Sequence, residues 1–392
     1  MERLDYMKLA LDLAARAKGR TSPNPMVGAV IVKEDRIIGR GWHHRAGQPH
    51  AEQEALADAT ESPRGATMYV SLEPCCHSGK TPPCTKALIE AGLARVVYAA
   101  ADPNPLVSGK GLAQLKAAGI EVEGPIMEKE ARFLNRAFFY YVKEKKPFVT
   151  AKYAMSLDGK IATSGGQSQW ITAPESRVFA HQLRDISDGV MIGSGTALTD
   201  NPRLTTRLEK GESHHPIRII LDSAGGVPLE ARLFDPKLPG STWVATTSAM
   251  GAAHRAALEK QGVEVLVLPA NPDKMVSLEP LLNLLGERHM MSLMVEGGAE
   301  VMGSFFRLRL IQEIWCFMGA KLIGGFQAPG PIGGTGIRQL KSAPNLEIYE
   351  TQRCGPDLLI KATTVVPDRL PETHPRAVKS KRQGETPRFP LA

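Results

Sequence analysis

The residues in this chain best equipped for chemistry stand in two short stretches, His50-Ala51-Glu52 and Pro74-Cys75-Cys76-His77-Ser78-Gly79-Lys80-Thr81-Pro82-Pro83-Cys84. Imidazole and thiolate are donors that zinc prefers. A zinc site for hydrolysis keeps three protein ligands and one open position, where a bound water is acidified to a pKa near ~7 and becomes a nucleophile. His50, Cys75 and Cys84 supply three such ligands. A general acid/base must stand beside that water without binding the metal, and Glu52, two residues past His50, can occupy that place. The competing reading is a structural zinc knuckle closed by four ligands, drawn from Cys75, Cys76, Cys84 and either His50 or His77. Knuckles usually pair ligands as C-x2-C, whereas Cys75 and Cys84 are nine positions apart, and neighbouring Cys75 and Cys76 cannot easily both face one ion. The His-Ala-Glu unit has no part in a knuckle, so the catalytic reading is preferred.

A His-x-Glu followed by Pro-Cys and a second Cys is also the signature of zinc-dependent nucleobase deaminases. This chain departs from the P-C-x-x-C spacing by an insertion, residues 77–83, that carries His77 and Lys80. Such polar groups could reach a phosphate or a ring edge. Farther along, three polar clusters fall at expected strand ends. They are Ser156-Leu157-Asp158-Gly159-Lys160 with Ser168-Gln169-Trp170-Ile171-Thr172, the run 193–207, and Val295-Glu296-Gly297-Gly298-Ala299-Glu300. Glycine turns before helices let backbone N–H groups approach an anion, and Arg203 and Arg207 add bidentate donors. Gly193-Ser194-Gly195 lacks the third glycine of a Rossmann fingerprint. These residues by themselves indicate an anionic ligand, such as a nucleotide, or tight structural turns.

Positioning these groups requires alternating helices and strands. Leu4, Met7, Leu11 and Ala14 or Ala15 recur at helical spacing, with Gly19 as a stop. Residues 27–32 and 37–42 flank Lys33-Glu34-Asp35-Arg36 and predict a β-hairpin. A short helix over 50–59 begins at the proposed ligand, strand 66–72 runs into Glu73-Pro74-Cys75, and Pro83-Cys84 opens a helix that Gly92 ends. The partial positive charge of a helix N-terminus favours the Cys84 thiolate that zinc requires. Strand 95–100, helix 111–118, strand 120–123 and one long helix 128–141 complete a three-layer α/β/α domain over residues 1–146.

The charged, proline-ended segment 143–147 marks a domain boundary. Strands at 148–155, 189–193, 217–221, 242–245, 263–268 and 292–295 then alternate with helices at 174–184, 249–261, 277–287 and 299–306. Closing strands at 308–318 and 358–366 are joined by a Gly/Pro-rich loop, 324–336. This pattern predicts a second α/β domain, mostly parallel, over residues 147–367. Residues 368–392, Pro-rich, charged and hardly apolar, predict a disordered basic tail.

The composition bounds the function. A chain of 392 residues with 43% hydrophobic content can bury a core in each of two domains. Of the formal net charge of +7, residues 371–392 contribute five Arg/Lys against two Glu. The remaining surplus suits an enzyme of anionic metabolites, and no basic run with interleaved aromatics points to nucleic acid. Five cysteines, three of them within ten residues, argue for metal or catalysis in a reducing compartment and against a disulfide framework. No apolar run reaches membrane-span length and no signal peptide is visible, so the expectation is a cytoplasmic protein that does not engage membranes.

The loop Pro74-Cys75-Cys76-His77-Ser78-Gly79-Lys80-Thr81-Pro82-Pro83-Cys84 follows the pattern P-C-x-H-x-G-x-T-P-P-C and, with Thr21-Ser22-Pro23-Asn24-Pro25-Met26-Val27-Gly28 and Gly41-Trp42-His43, resembles the deaminase half of the bifunctional riboflavin-biosynthesis deaminase/reductase family. Met155-Ser156-Leu157-Asp158-Gly159-Lys160, the run 193–207 and Glu296-Gly297-Gly298 are similar to its reductase half. The resemblance covers about residues 1–366 and leaves out the tail. It implies a cytidine-deaminase-like domain followed by a dihydrofolate-reductase-like one, usually in a homo-oligomer. It further implies zinc-dependent deamination of a diaminopyrimidinone carrying ribose 5-phosphate, then NADPH-dependent reduction of the ribosyl group to ribityl. The rival is a zinc nucleotide deaminase whose second domain binds ligand without reducing it.

By the same resemblance Asn24, His43, His77 and Lys80 contact the phosphorylated pyrimidine beside the ligands His50, Cys75 and Cys84 and the acid/base Glu52. Ala154, Trp170, Thr196, Asp200, Ser223, Gly297 and Gly298 line the NADPH site, and Ser168, Arg184, Leu204, Arg207 and Glu296 hold the reductase substrate. From the residues alone, Asn24 could instead shape a turn, His43 could end a strand, Lys80 could be solvated and Trp170 could be core.

Overall fold

The computed structural model describes residues 2–76, 83–105 and 107–364. The chain opens with α1 (Arg3–Ala15), β1 (Gly28–Lys33), β2 (Arg36–Trp42), α2 (Ala51–Ala57), β3 (Thr67–Val70) and α3 (Cys84–Ala91). It continues through β4 (Arg95–Tyr98), α4 (Lys110–Ala117), β5 (Glu121–Glu123), α5 (Glu128–Leu134) and α6 (Arg136–Glu144). These strands form a five-stranded sheet in the order β2-β1-β3-β4-β5. The β1–β2 hairpin is antiparallel, as its sequence predicts, and β3, β4 and β5 run parallel.

Alternation along β1 builds the two sides of this sheet. Val30 and Val32 pack with Met7, Leu11 and Leu13 of α1 and Phe138 of α6, while Ala29 and Ile31 pack with Ala51 and Ala55 of α2 and Leu88 of α3. Three layers result, as the alternating pattern predicts. The helix α2 lies directly on β2, because a Cβ at Gly41 would stand 2.3 Å from the Ala55 nitrogen. That approach needs glycine; a side chain there would overpack the layer at a cost of roughly 1–3 kcal/mol.

The second half comprises β6 (Phe148–Ser156), α7 (Pro174–Asp185), β7 (Gly189–Gly193), α8 (Ser194–Asp200), β8 (Ile217–Leu221), β9 (Thr242–Thr246) and α9 (Ala252–Lys260). There follow β10 (Glu264–Val267), α10 (Leu278–Glu287), β11 (Ser292–Val295), α11 (Ala299–Arg307), β12 (Glu313–Gly319), β13 (Glu347–Cys354) and β14 (Asp357–Thr363). Nine strands pair in the order β10-β9-β8-β7-β11-β6-β12-β14-β13. All neighbours from β10 to β12 are parallel; β14 alone runs against them, and β13, antiparallel to β14, returns to the common direction. One face carries Leu281, Leu285, Met302 and Phe305 from α10 and α11; the other carries Leu183, Ala197 and Leu258 from α7, α8 and α9.

Four elements differ from the sequence expectation. The helix expected over 128–141 is split at Asn135, whose side-chain amide leaves the helix surface to exchange two hydrogen bonds of 2.8 Å with the backbone of Met26. The run 193–207, a polar cluster in which the sequence places no helix, begins with helix α8. The strand expected from residue 308 begins at Glu313, because Arg309 turns the chain with a φ of 55° after α11. β13 was not anticipated at all. It is an edge strand whose charged and polar residues face outward, so it shows no apolar period, and Gly355 (φ 61°) turns it into β14.

The halves meet through polar contacts. Arg136 of α6 places Nη2 2.7 Å from the buried carboxylate of Glu313, and Arg20 grips Asp185 at the end of α7. The Tyr141 hydroxyl donates to the Gly286 carbonyl at 3.2 Å. Among the described residues no helix is long and apolar enough to cross a membrane.

Candidate active sites

The start of α2 fixes His50. It is the N-cap residue, and its backbone N–H donates to Gln53 Oε1 at 3.3 Å. Cys75 follows β3 by way of Ser71-Leu72-Glu73-Pro74, and Cys84 opens α3, whose N-terminal partial charge favours a thiolate. His50 Nδ1 stands 3.2 Å from Cys84 Sγ and 3.5 Å from Cys75 Sγ, and the Cys84 N–H donates to Cys75 Sγ at 3.4 Å. All three donor atoms lie within 4.8 Å of one another. Zinc bonds of about 2.0–2.3 Å in a tetrahedron separate neighbouring donors by roughly 3.3–3.8 Å, so the donor set and its spacing fit zinc. Three donors leave one of four positions open.

Neither Cys76 nor Glu52 joins that donor cluster. A hydrogen bond from Cys84 holds the Cys75 thiol well below its ordinary range, with His50 adding to the effect, and the paired sulfur pushes Cys84 the other way. Glu52 is 3% exposed in the first turn of α2, and burial, reinforced by the Cys75 thiolate, pushes its carboxyl up to about 7. A carboxyl that changes protonation near neutral pH, beside but not within the metal ligands, is suited to carry protons.

The structure also brings His43 and Asn24 together. His43 is buried, its Nδ1 donates to the Pro49 carbonyl at 3.0 Å, and its Nε2 accepts from the Asn24 amide at 3.1 Å. Burial lowers the His43 pKa, so the ring is the neutral tautomer this network requires. The His43 and His50 rings meet edge-on with centroids 5.3 Å apart. His77 and Lys80 lie outside the described residues.

In the second half a cavity of about 1900 Å³ opens at the C-terminal ends of β7, β8 and β11. Ligands of open α/β sheets bind at such strand ends. Thr196, Asp200, Ser223, Gly298 and Ser168 stand on its wall. Ser168 Oγ donates to Asp200 Oδ1 at 3.2 Å, and the Gly298 N–H donates to Thr196 Oγ1 at 3.1 Å. Ser223 Oγ accepts the Val276 N–H at 3.0 Å, so this hydroxyl also holds a turn. No atom lies within 4 Å of where a Cβ would stand at Gly195, which keeps the wall open beside α8.

Ala154, Gly297 and Trp170 do not stand on that wall. Ala154 packs partly buried against the core, and Gly297 closes on Val301, whose Cβ would be 2.8 Å from a Cβ at 297. Trp170 is 60% exposed beneath the Arg177 guanidinium, so the core alternative for it is overturned.

Arg184, Leu204, Arg207 and Glu296 gather in a corner of their own. Glu296 accepts from Arg184 Nη2 at 2.6 Å and from Lys152 Nζ at 2.8 Å. Burial pushes Glu296 up, but these two cations outweigh it and hold the carboxyl down at about 2. Arg184 also donates to the Thr205 carbonyl, Arg207 donates to Thr205 Oγ1 at 3.0 Å, and Leu204 turns the chain between them with a φ of 51°. Burial, then Arg184 and Arg203, lowers the Arg207 pKa. Positive charge thus exceeds what Glu296 neutralises, and the corner attracts anions.

Three residues escaped the sequence reading. Lys152 could have been found as the one charge in the apolar strand Phe148–Ser156. His181 lies one helical turn before Arg184; burial and the charges of Arg184 and Arg207 push it down to about 4. Glu73 adjoins the Pro74-Cys75 ligand loop, and its buried carboxylate accepts the N–H groups of Asp102, Gly109 and Gly111. It braces that loop against α4, a role that no local pattern announces.

Comparison with known proteins gives two family matches. The cytidine and deoxycytidylate deaminase zinc-binding region matches residues 1–100, and the RibD C-terminal domain matches residues 147–360. The riboflavin biosynthesis protein RibD of Aquifex aeolicus is 45% identical over 356 residues, covering 91% of this chain and 97% of its own. RibD of Escherichia coli is 39% identical over 366 residues, 91% and 97% of the two chains. Among solved structures, a diaminohydroxyphosphoribosylaminopyrimidine deaminase/5-amino-6-(5-phosphoribosylamino)uracil reductase from Thermotoga maritima is 37% identical. It superposes with a TM-score of 0.81 and covers 92% of this chain and 98% of its own. Acinetobacter baumannii RibD, form 1, is 35% identical with a TM-score of 0.83 and the same coverage.

Proposed function

The chain belongs to the RibD family of bifunctional riboflavin-biosynthesis deaminase/reductases, and from that premise we propose how its residues divide the work. It is a zinc-dependent deaminase and an NADPH-dependent reductase in one polypeptide. We take residues 1–146 as the deaminase, 147–367 as the reductase and 368–392 as a tail outside both; residues 365–392 lie outside the described residues. The substrate is a phosphorylated pyrimidine, specifically 2,5-diamino-6-(5-phosphoribosylamino)pyrimidin-4-one. Its deaminated product is then reduced at the ribosyl group.

The observation that carries the first step is the convergence of His50, Cys75 and Cys84 within 4.8 Å, with buried Glu52 two residues along the same helix start. Zinc held by these three residues supplies the Lewis acidity that makes water nucleophilic near neutral pH. Glu52 takes the two protons of the attacking water in turn and passes one to the adjacent ring nitrogen and one to the departing amino group, so that ammonia leaves as the carbonyl forms. Asn24 and His43, locked together, present one amide and one neutral ring to the pyrimidine, with His77 and Lys80 as further contacts from the ligand loop.

NADPH supplies the hydride of the second step. Thr196, Asp200, Ser223 and Gly298 on the cavity wall hold the cofactor, with Gly297, Ala154 and Trp170 beside it. Ser168, Arg184, Leu204, Arg207 and Glu296 hold the substrate, the arginines toward its phosphate. Two observations support this assignment. A cavity of about 1900 Å³ with Thr196, Asp200, Ser223, Gly298 and Ser168 on its wall has room for the cofactor. The positive corner around Arg184 and Arg207 matches an anionic substrate.

We further expect a homo-oligomer in the cytoplasm. Leu322, Phe326, Leu340 and Ile348 expose large apolar side chains within one stretch of the reductase, and a zinc thiolate site needs reduced cysteines. The deciding experiment mixes the protein with the diaminopyrimidine substrate and NADPH and follows ammonia and nicotinamide absorbance together. One NADPH consumed for each ammonia released is expected; ammonia release without NADPH loss would leave a deaminase with a merely ligand-binding second half.

A further inference from the structure

Asn24 lies on the segment between α1 and β1, and this segment is fastened on two sides. Its own domain holds it through the Asn24–His43 hydrogen bond and the two Met26–Asn135 bonds. The other side is held by the reductase half. Gly19 (φ 70°) sits so tightly on the end of α7 that a Cβ there would be 2.5 Å from the Asp185 carbonyl oxygen. Arg20 Nη2 lies 3.2 and 3.0 Å from the two Asp185 carboxylate oxygens, and its Nη1 donates to the Asp185 carbonyl. The Ser22 hydroxyl lies beside the Asp188 carboxylate and counters the rise that burial gives its pKa.

Both acceptors are themselves rigid. Asp185 Oδ1 takes the His214 N–H at 2.7 Å, and Asp188 Oδ2 takes the N–H groups of Met291 and Ser292 and the Ser292 hydroxyl. From Arg20 only a short turn, closed by the Asn24 N–H on the Thr21 carbonyl at 2.7 Å, separates the anchored guanidinium from the Asn24 side chain.

We propose that the reductase half is a working part of the deaminase site: Asp185, through Arg20, is a positioning residue that fixes the turn presenting Asn24 to the pyrimidine. The two carboxylates act as fixed points, and without them the turn is free to move relative to His43. Substrate then meets Asn24 in a distribution of positions, and binding suffers while the proton transfers at Glu52 are untouched. Because Arg184 immediately precedes Asp185 on α7, the same helix end serves both reactions, its residue 184 in the reductase corner and its residue 185 on the deaminase turn.

The inference rests on the reading of Asn24 as a substrate contact, so the test separates the two. In the full-length zinc enzyme, ammonia release gives kcat and KM for Arg20→Ala, Asp185→Asn, Ser22→Ala, the exchange pair Arg20→Asp with Asp185→Arg, and Asn24→Ala. Zinc content and the thermal midpoint are measured for each. Arg20→Ala and Asp185→Asn are expected to raise the deaminase KM about tenfold, the worth of one charge-assisted hydrogen bond, with kcat and zinc retained. The exchange pair recovers most of the loss. Ser22→Ala, which keeps the salt bridge and is the mildest change to folding, raises KM by a smaller factor. An unchanged KM in all of these, with Asn24→Ala still impaired, overturns the inference. So does a fall in kcat and zinc that parallels a lowered midpoint, since this would mark Asp185 as purely structural. An unimpaired Asn24→Ala instead overturns the reading of Asn24 itself.

Discussion

The Arg136 guanidinium closes on the Glu313 carboxylate from the other half of the molecule, with Nε and Nη2 at 2.9 and 2.7 Å from Oε1. Glu313 is 2% exposed and also accepts from Thr150, Trp315 and Tyr349, whereas the Arg136 side chain keeps about a third of its surface in water. The two partners are therefore unequal. Arg136→Met strands a buried carboxylate and should lower stability by about 3–5 kcal/mol. Glu313→Gln should cost less, because the arginine left behind can hydrate. Urea denaturation of both variants checks the order.

Replacing Glu52 separates metal binding from chemistry. Glu52→Gln removes the titrating carboxyl but none of the three donors, so zinc content should be unchanged while deamination falls by roughly 10²–10⁴-fold. NADPH oxidation with pre-deaminated substrate should persist. A zinc-free Glu52→Gln protein would show that Glu52 is a ligand.

Removing the metal should discriminate between the halves. Cys84→Ala deletes one of three donors, and dialysis against a chelator removes the ion; either treatment should abolish ammonia release. The match to the RibD C-terminal domain, residues 147–360, includes none of the three donors, and reduction of pre-deaminated substrate should continue. Loss of both activities on chelation would refute separate sites.

Acid should weaken the corner around Glu296 in a predictable direction. Its folded carboxyl is held down at about 2 against an ordinary 4.5 by Arg184 and Lys152. The folded state thus binds this proton less readily than the unfolded one, so the stabilisation is present above pH 4.5 and is lost as pH falls toward 2. A shift of this size corresponds to about 3 kcal/mol at neutral pH. The stability difference between the native protein and Glu296→Gln, read from urea midpoints at pH 7, 5 and 3, should shrink over the last interval.

Packing under the zinc site offers a last check. Gly41→Ala must separate β2 from α2, the helix that carries Glu52 and begins at His50, and should cost roughly 1–3 kcal/mol. Deaminase activity should fall further than reductase activity. Equal losses would mean that the distortion is not local.

Much of this was readable before folding, because the signals are local. Zinc needs particular donor atoms, and His50, Cys75 and Cys84 announce them by type and spacing; Glu52 follows from being two residues away. The alternation of β1 and the helical period of α1 likewise depend only on neighbouring residues, and both layers of the first sheet follow from them. The edge strand β13 was hidden for the same reason, since a strand that faces water on one edge has no apolar period to show.

What only the tertiary structure decided are relationships between residues far apart in the chain. The split at Asn135 exists because Met26, more than a hundred residues earlier, offers its backbone there. Arg184 and the turn residue Glu296 are recognisable singly, but that they neutralise each other, with Lys152 as a third member, follows from the pairing of β6 with β11 and the docking of α7 beside them. The seam at Asp185 is of the same kind. Ion pairs are stable in such interiors only when both partners are delivered together, and sequence distance carries no information about that delivery.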